Sequence, residues 1–335
     1  MGLLSALYGL GLSCRRLCYS CLKKPERLPA RVISVGNLTL GGTGKTPAVI
    51  ALALEAKKRG LKPCVLTRGY RGRTREPCFV SKGAGPLLNA RAAGDEALLM
   101  AETLRGIPVV KGRDRYKAGL FALEGLRAGA LFILDDGFQH WGLGRDMDVL
   151  LIDATNPFGN GRLFPEGILR EPLSAMRRAD FIVITKADTA AGETVAGIRQ
   201  EIRRYNPDAP VFEASHKPAV LVSPSGETTG LDTLRGRDIY AFAGIANPSY
   251  FRSLLLSQGA RLMKFREFRD HYFYRQADMD EIKRDAGGLD IITTEKDLVK
   301  IRELRVPDKI SALRIEFSVA GDFYSTLFSI ILNVA

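Results

Sequence analysis

The chain has little of what metal, redox or secreted chemistry needs: one tryptophan, three histidines and five cysteines in 335 residues. The odd cysteine count and the absence of any secretion pattern read as reduced thiols in a cytoplasmic protein rather than a disulfide framework. Cys14, Cys18 and Cys21 have a spacing that can hold an iron–sulfur cluster, but they stand among leucines in a helical pattern, where a thiol serves as a small apolar side chain. Histidines and cysteines are otherwise too scattered to suggest a metal centre. Low-complexity tracts, long polar linkers and fixed-period repeats are also missing, which excludes disordered and solenoid architectures. No apolar run is long enough to span a bilayer.

What is present begins with Arg31-Val32-Ile33-Ser34-Val35, a buried-strand pattern that runs into Gly36-Asn37-Leu38-Thr39-Leu40-Gly41-Gly42-Thr43-Gly44-Lys45-Thr46. A strand, a glycine-rich loop and a helix in this order make a phosphate cradle. Backbone N–H groups turn toward the anion, the helix adds its positive end, and Lys45 and Thr46 reach phosphate and magnesium. The strict pattern wants glycine where Thr39 stands. The context supports the cradle all the same: Pro47 suits a first helical turn, Val49, Leu52, Ala53 and Ala56 fall at helical spacing, and Gly60 follows as a stop. Thr39 through Thr46 are therefore the candidate loop for the phosphates of a nucleoside triphosphate.

The formal charge of +12 asks for an acidic partner. Its position narrows the choice, because residues 1–31 hold Arg15, Arg16, Lys23, Lys24, Arg27 and Arg31 against Glu26 alone, beside the apolar Leu3, Leu4, Leu7, Tyr8, Leu10 and Leu12. Apolar residues followed by a basic cluster suit a helix lying in a membrane interface. A signal peptide would carry its positive charge before the apolar run. An amphipathic helix packed on the protein itself is the competing reading.

Short apolar runs at Val32–Val35, Cys64–Thr67, Val109–Val110, Leu131–Leu134, Val149–Ile152 and Phe181–Thr185 alternate with helical patterns such as Asp95–Leu104 and Arg115–Leu126. This predicts an α/β fold with a mostly parallel sheet and helices on both faces. After about Tyr205 the pattern restarts, with Val211–Phe212, Ile239–Ala243, Ser249–Ser257, Asp290–Thr293 and Leu313–Phe317, as a second, smaller α/β unit. Pro207, Pro210 and the stretch Pro218–Gly226 punctuate the junction. The expected organisation is an interface helix over 1–28, a nucleotide-binding domain over 29–205 and a smaller domain over 206–335.

The run Leu131–Leu134 delivers Asp135 and Asp136 to the phosphate end of the sheet, where magnesium needs oxygen ligands. Either aspartate, with Thr46, is a candidate for the metal. Gly94-Asp95-Glu96 heads a helical pattern, so Asp95 is either a helix cap or a base for an attacking hydroxyl. His140, in Asp135-Asp136-Gly137-Phe138-Gln139-His140, and His271, in Asp270-His271-Tyr272, are proton shuttles or structural side chains. Thr185-Lys186-Ala187-Asp188 is similar to the base-reading element of guanine-nucleotide proteins, and Thr294-Glu295-Lys296-Asp297 is a second strand-end cluster. A Lys–Asp pair at a strand end can also be a surface ion pair.

Taken with Leu163-Phe164-Pro165-Glu166-Gly167 and Leu169-Arg170-Glu171-Pro172, these stretches resemble one family, the tetraacyldisaccharide 4′-kinases that phosphorylate the lipid A precursor in Gram-negative bacteria. The matches run from residue 32 to 297, and the paired aspartates with their Gly-Phe-Gln-His tail are the most specific. The chain departs from the family pattern at Ala97, Trp141, Phe164, Glu166 and Ile168. The resemblance implies ATP with Mg2+, transfer of the γ-phosphoryl group to the 4′-hydroxyl of an acylated disaccharide 1-phosphate to give lipid IVA, and location at the cytoplasmic face of the inner membrane. It also implies that Asp95 and His271 work together in catalysis with Lys45, and it makes Glu96, Gln139, His140 and Glu171 candidates for substrate contact or support. A basic, apolar surface and the lack of a nucleic-acid motif fit that lipid. The rival is a membrane-surface switch ATPase of the partitioning type, whose signature lysine is replaced here by Leu40. A guanine-dependent metal-delivery protein rests on Thr185–Asp188 alone.

Overall fold

The computed structural model describes residues 2–70, 72, 74, 76–126 and 130–333; Met1 of the expected interface segment and the last two residues of the C-terminal unit lie outside them. Among the described residues the helices are α1 (Leu3–Leu17), α2 (Lys45–Lys58), α3 (Ala90–Ala93), α4 (Asp95–Thr103), α5 (Arg115–Gly125), α6 (Gly192–Tyr205), α7 (Pro248–Ser257), α8 (Gln276–Ala286), α9 (Glu295–Ile301) and α10 (Phe323–Asn333). The strands are β1 (Arg31–Asn37), β2 (Lys62–Thr67), β3 (Cys78–Ser81), β4 (Val109–Lys111), β5 (Ala130–Asp135), β6 (Met147–Asp153), β7 (Phe181–Thr185), β8 (Val211–Val222), β9 (Thr228–Thr229), β10 (Asp238–Ala243), β11 (Arg261–Glu267), β12 (Asp290–Thr294) and β13 (Ile310–Val319).

One sheet runs through the molecule in the order β11-β10-β12-β13-β8-β7-β6-β1-β5-β2-β4-β3, with β9 paired to β8. The pairings are parallel except β3–β4, β8–β9 and β8–β13. Side chains alternate across the doubly covered strands, as the two-residue period requires. Ile33, Ile133, Val149 and Val183 pack with α2, α4 and α10, whereas Val32, Phe132 and Leu134 face α5, and Leu150, Ile152 and Ile184 face α6.

The 12-residue strand β8 joins the two halves. Its first residues pair parallel with β7, and the rest pairs antiparallel with β13. The Pro218–Gly226 stretch that reads as punctuation in the sequence is thus strand as far as Val222 and a turn only after it. The register shifts where Ile315 meets Pro218, a local irregularity that accommodates a residue with no N–H to donate. β11 escaped notice because it is an edge strand whose pattern is broken by Lys264, Arg266 and Glu267.

Helix α1 docks through polar contacts: Ser5 Oγ donates to the Leu163 carbonyl at 2.9 Å and Tyr8 Oη to the Arg170 carbonyl at 3.0 Å. Its other side leaves Leu4, Leu7, Leu10 and Leu17 exposed. No described helix is long and apolar enough to cross a membrane.

Candidate functional site

Strand β1 has β5 on one side and β6 on the other, so its carboxyl end is where the parallel order switches, the usual place for a ligand in such a sheet. The loop at that end takes the backbone geometry that only glycine tolerates well, with φ of 113° at Gly41 and 83° at Gly44, and α2 begins at Lys45. Thr39 is explained by its neighbours. Leu38 and Leu40 pair through the backbone with Ile168 and Arg170, so residue 39 is extended and needs no glycine. Asn37 Nδ2 donates to the Thr39 carbonyl at 2.8 Å. Thr39 is buried and Leu40 is exposed.

From the other side Lys186 and Thr185 brace the loop. Lys186 Nζ donates to the Gly42 carbonyl at 3.1 Å and pairs with Asp153, and Thr185 Oγ1 donates to the Thr43 carbonyl at 3.1 Å. Lys186 also lies 4.9 Å from the Tyr250 ring centre. The lysine of the base-reader-like motif is therefore buried beneath the phosphate cradle and is no surface ion pair.

The adjacent aspartates diverge. Asp136 has φ 52°, which swings its carboxylate to Arg170 Nη1, 2.9 Å from both oxygens, and to Lys45 Nζ at 3.5 Å. Burial pushes this carboxyl up, but Lys45 and Arg170 outweigh it and hold it at about 2. Asp135 accepts from Thr67 Oγ1 at 2.8 Å and its Oδ1 has no partner. Burial, with Glu96 and Asp136 nearby, pushes it up to about 7. Lys45 Nζ also donates to Asn37 Oδ1 at 3.2 Å.

A second cluster is built from distant segments. Gly94, at φ 90°, lies so close to the Tyr70 carbonyl that a Cβ there would stand 2.4 Å from its oxygen, and this tight approach sets Asp95 at the head of α4. His271 Nδ1 donates to Asp95 Oδ2 at 2.7 Å. Lys296 Nζ stands 3.1 Å from Glu96, 3.4 Å from Asp270 and 3.8 Å from Asp95, and donates to His271 Nε2 at 3.4 Å. Burial raises the Asp95 carboxyl, yet the His271 hydrogen bond and Lys296 outweigh it and keep the group below its ordinary range. Burial lowers Lys296, and Glu96, Asp95 and Asp270 more than reverse this. Asp95 is not the cap the sequence offered: Gly94 takes the N-cap position and Asp95 is the first helical residue, with Oδ1 accepting from the Glu96 N–H at 3.0 Å and Oδ2 holding the histidine.

Gln139 and His140 line the cavity that holds these clusters, and Glu171 is buried behind Gln139. Gln139 Nε2 donates to the Asn37 carbonyl at 2.8 Å and to Glu171 Oε1 at 3.1 Å. Glu171 is buried in a two-pronged pair with Arg178, at 2.9 Å for each contact. Burial and then Arg115 hold His140 down to about 4, so its imidazole is neutral at neutral pH.

One cavity of about 1560 Å3 connects these parts. Its lining includes Gly41–Thr46, Asp135, Asp136, Gln139, His140, Glu96 and His271, together with Tyr8, Leu12 and Arg15 of α1. Asp95 and Glu171 stand behind that wall. Arg170, Lys186, His216 and Lys296 also line it. None of these four is among the candidate site residues of the sequence. Arg170, Lys186 and Lys296 lay inside motifs that were noted, whereas His216 sits in a strand with no motif around it.

A magnesium ion fits these residues. Asp135 Oδ1 is a buried oxygen without a partner, Asp136 is ionised, and Thr46 lines the same cavity. Magnesium usually takes one or two carboxylates and completes its shell with phosphate and water. Cys14, Cys18, Cys64 and Cys78 are free thiols.

The family model for LpxK, tetraacyldisaccharide-1-P 4′-kinase, matches residues 1–332. The tetraacyldisaccharide 4′-kinase of Halothermothrix orenii is 43% identical over 90% of this chain and 82% of its own length. That of Desulfotalea psychrophila is 38% identical over 96% of this chain and 92% of its own. The crystal structure of LpxK from Aquifex aeolicus in complex with ATP superposes with a TM-score of 0.79 at 33% identity, covering 98% of this chain and 97% of that one.

Proposed function

The chain belongs to the tetraacyldisaccharide 4′-kinase family, and from that premise we propose how its residues carry the γ-phosphoryl group of ATP to the 4′-hydroxyl of a tetraacyldisaccharide 1-phosphate to give lipid IVA. The observation that carries the reading is one cavity bordered by a phosphate loop, two strand-end aspartates and a histidine held by a buried carboxylate. A partitioning-type switch ATPase has no need of that last pair, and the relatives named above are kinases.

The amides of Gly41–Thr46 and Lys45 hold the phosphates, with Lys45 exchanging Asp136 for a phosphate oxygen. Thr46 and the ionised Asp136 would hold magnesium, with Asp135 in reach through its unpaired Oδ1. Bound there, magnesium would supply positive charge to offset that of the phosphates. His271 Nε2 exchanges its contact with Lys296 for the 4′-hydroxyl and receives that proton, while Asp95 fixes the Nδ1–H tautomer and balances the imidazolium that forms. Lys296 keeps Glu96, Asp270 and the pair in one register. The hydroxyl oxygen then attacks the γ-phosphorus in line as the bond to ADP breaks.

The acceptor reaches this site from a membrane surface. Exposed leucines on α1, with Arg15 and Arg16 in its last turn, suit an interfacial helix on anionic lipid, and Tyr8, Leu12 and Arg15 continue that surface into the cavity. The inner-membrane cytoplasmic face, where ATP is available, is the proposed location. We also propose the organisation 1–28, 29–205 and 206–335 for the helix and two α/β units.

The test is transfer from γ-labelled ATP to tetraacyldisaccharide 1-phosphate in detergent micelles, with Lys45→Ala as control. A labelled lipid that vanishes in the control supports the kinase reading. ATP hydrolysis without lipid phosphorylation, given verified substrate and folding, overturns it.

A further inference from the structure

Three buried polar atoms without partners surround one turn of the phosphate loop: Thr43 Oγ1, His216 Nε2 and Tyr250 Oη. Such atoms are uncommon in folded proteins, and each calls for a reason. These three come from the loop, β8 and α7, and their residues border the same cavity. His216 is 4% exposed, and its ring lies so close to the loop that a Cβ on Gly44 would be 2.4 Å from Cε1 and Nε2. The rings of Phe317, 5.6 Å away, and Tyr250, 6.2 Å away, fix its orientation.

We propose that His216 is a positioning residue for the nucleotide, donating from Nε2 to an oxygen of bound ATP, with Thr43 Oγ1 and Tyr250 Oη completing the same wall. Burial and the nearby Lys186 keep the imidazole neutral, so one ring nitrogen carries a proton and the other does not. A purely packing role in this aromatic setting would be filled by phenylalanine or leucine without leaving a polar atom unpaired. Nε2 lies against Gly44 of the phosphate loop, so the acceptor is an oxygen of the polyphosphate or of the adjoining ribose. The inference rests on this loop being the ATP site.

The experiment compares the full chain with its His216→Gln, His216→Leu, His216→Phe and Lys45→Ala variants. It reads ATP affinity by equilibrium dialysis, KM for ATP and for the lipid acceptor, and thermal unfolding without nucleotide. Glutamine places an N–H near the position of Nε2. Leucine and phenylalanine remove it, and phenylalanine keeps the ring. Loss of a hydrogen bond to a charged acceptor predicts ATP affinity about tenfold or more weaker in the Leu and Phe variants. Glutamine stays within about threefold, the acceptor KM is unchanged and unfolding without nucleotide is unaffected in at least the Phe variant. Tripolyphosphate and 2′-deoxy-ATP separate the two oxygens: equal loss with tripolyphosphate assigns a phosphate, and loss restricted to the ribose-bearing ligands assigns the sugar. ATP binding at parental strength in the Phe variant, glutamine no better than phenylalanine, or acceptor KM rising in step with that for ATP overturns the inference. If Lys45→Ala binds ATP as well as the parent, the assignment of the loop itself fails, which is a different result.

Discussion

Asp95 and His271 are the sharpest test of the mechanism, because their 2.7 Å hydrogen bond makes them one device. Asp95→Asn keeps the shape and an acceptor for Nδ1–H but removes the charge that stabilises an imidazolium. General acid–base assistance is worth roughly 10²–10⁴ in rate, so kcat should fall by that range. Stability should change little, by about 1 kcal/mol or less, since Lys296 keeps Glu96 at 3.1 Å and Asp270 at 3.4 Å and is not left as an unpaired buried cation. The KM for ATP should stay within about threefold, because Asp95 does not line the cavity in which the phosphate loop lies. His271→Gln should lower kcat to a similar extent. Residues that act as a unit are not additive, so the double variant should be no more than about threefold slower than the worse single one. Initial rates of lipid phosphorylation at saturating ATP measure all three. Losses that multiply in the double variant would show two independent roles and refute the pair, as would an Asp95→Asn enzyme within a few-fold of the parent.

Three further outcomes follow from particular contacts. Thr39→Gly, which restores the strict loop pattern, should lower stability by about 1 kcal/mol and leave ATP affinity no better, because an extended backbone gains nothing from glycine and loses the Thr39 hydroxyl that meets Asn37 at 3.3 Å; denaturant unfolding with and without ATP decides it. Leu7→Glu with Leu10→Glu should weaken flotation with anionic vesicles by more than about tenfold while ATP binding persists, given roughly 1.5–3 kcal/mol for each leucine withdrawn from water; unchanged flotation would sink the interface role of α1. His216 is held at about 4 against an ordinary 6.5, so the unfolded chain binds the extra proton between these values and stability falls as pH drops through that window. The stability difference between parent and His216→Gln should therefore shrink by about 3 kcal/mol from pH 7 to 4, and a difference that is flat with pH would contradict the burial of that ring.

The phosphate cradle was legible because its determinants are local: glycines where φ is positive, a strand before them and helical spacing after. Asp135 and Asp136 were legible for the same reason, as a carboxylate pair closing an apolar run. Their division of labour was not, since it depends on Arg170, which reaches Asp136 from 34 residues away, and on Thr67, which reaches Asp135 from 68 residues away. Lys186 shows a different limit. Its motif was visible, but only the tertiary fold tells a lysine buried under Gly42 from one on the surface. The course of β8 through Pro218 was hidden because a local rule about proline was outweighed by pairing with β13. His216 had no legible signal, because a histidine in a strand takes its meaning from the loop packed against it.

The site is divided across the sheet in a way that bears on catalysis. The phosphate loop, both strand-end aspartates and Asp95 belong to the half built on β1–β7, whereas His271 and Lys296 belong to the half built on β10–β13. Asp95 and His271 are 176 residues apart in the chain, so their hydrogen bond exists only when the halves are held in register. That register is set by the antiparallel pairing of β13 with β8 from Ala214 to Val222, on the same strand that puts His216 against Gly44. A hydrogen bond weakens as its distance and angle leave their preferred range, and a misplacement of about 1 Å can cost 10²-fold in rate. Strand β8 thus links the wall of the nucleotide site to the half that carries His271. Changes along it that spare every catalytic group should lower kcat through the geometry of the Asp95–His271 pair.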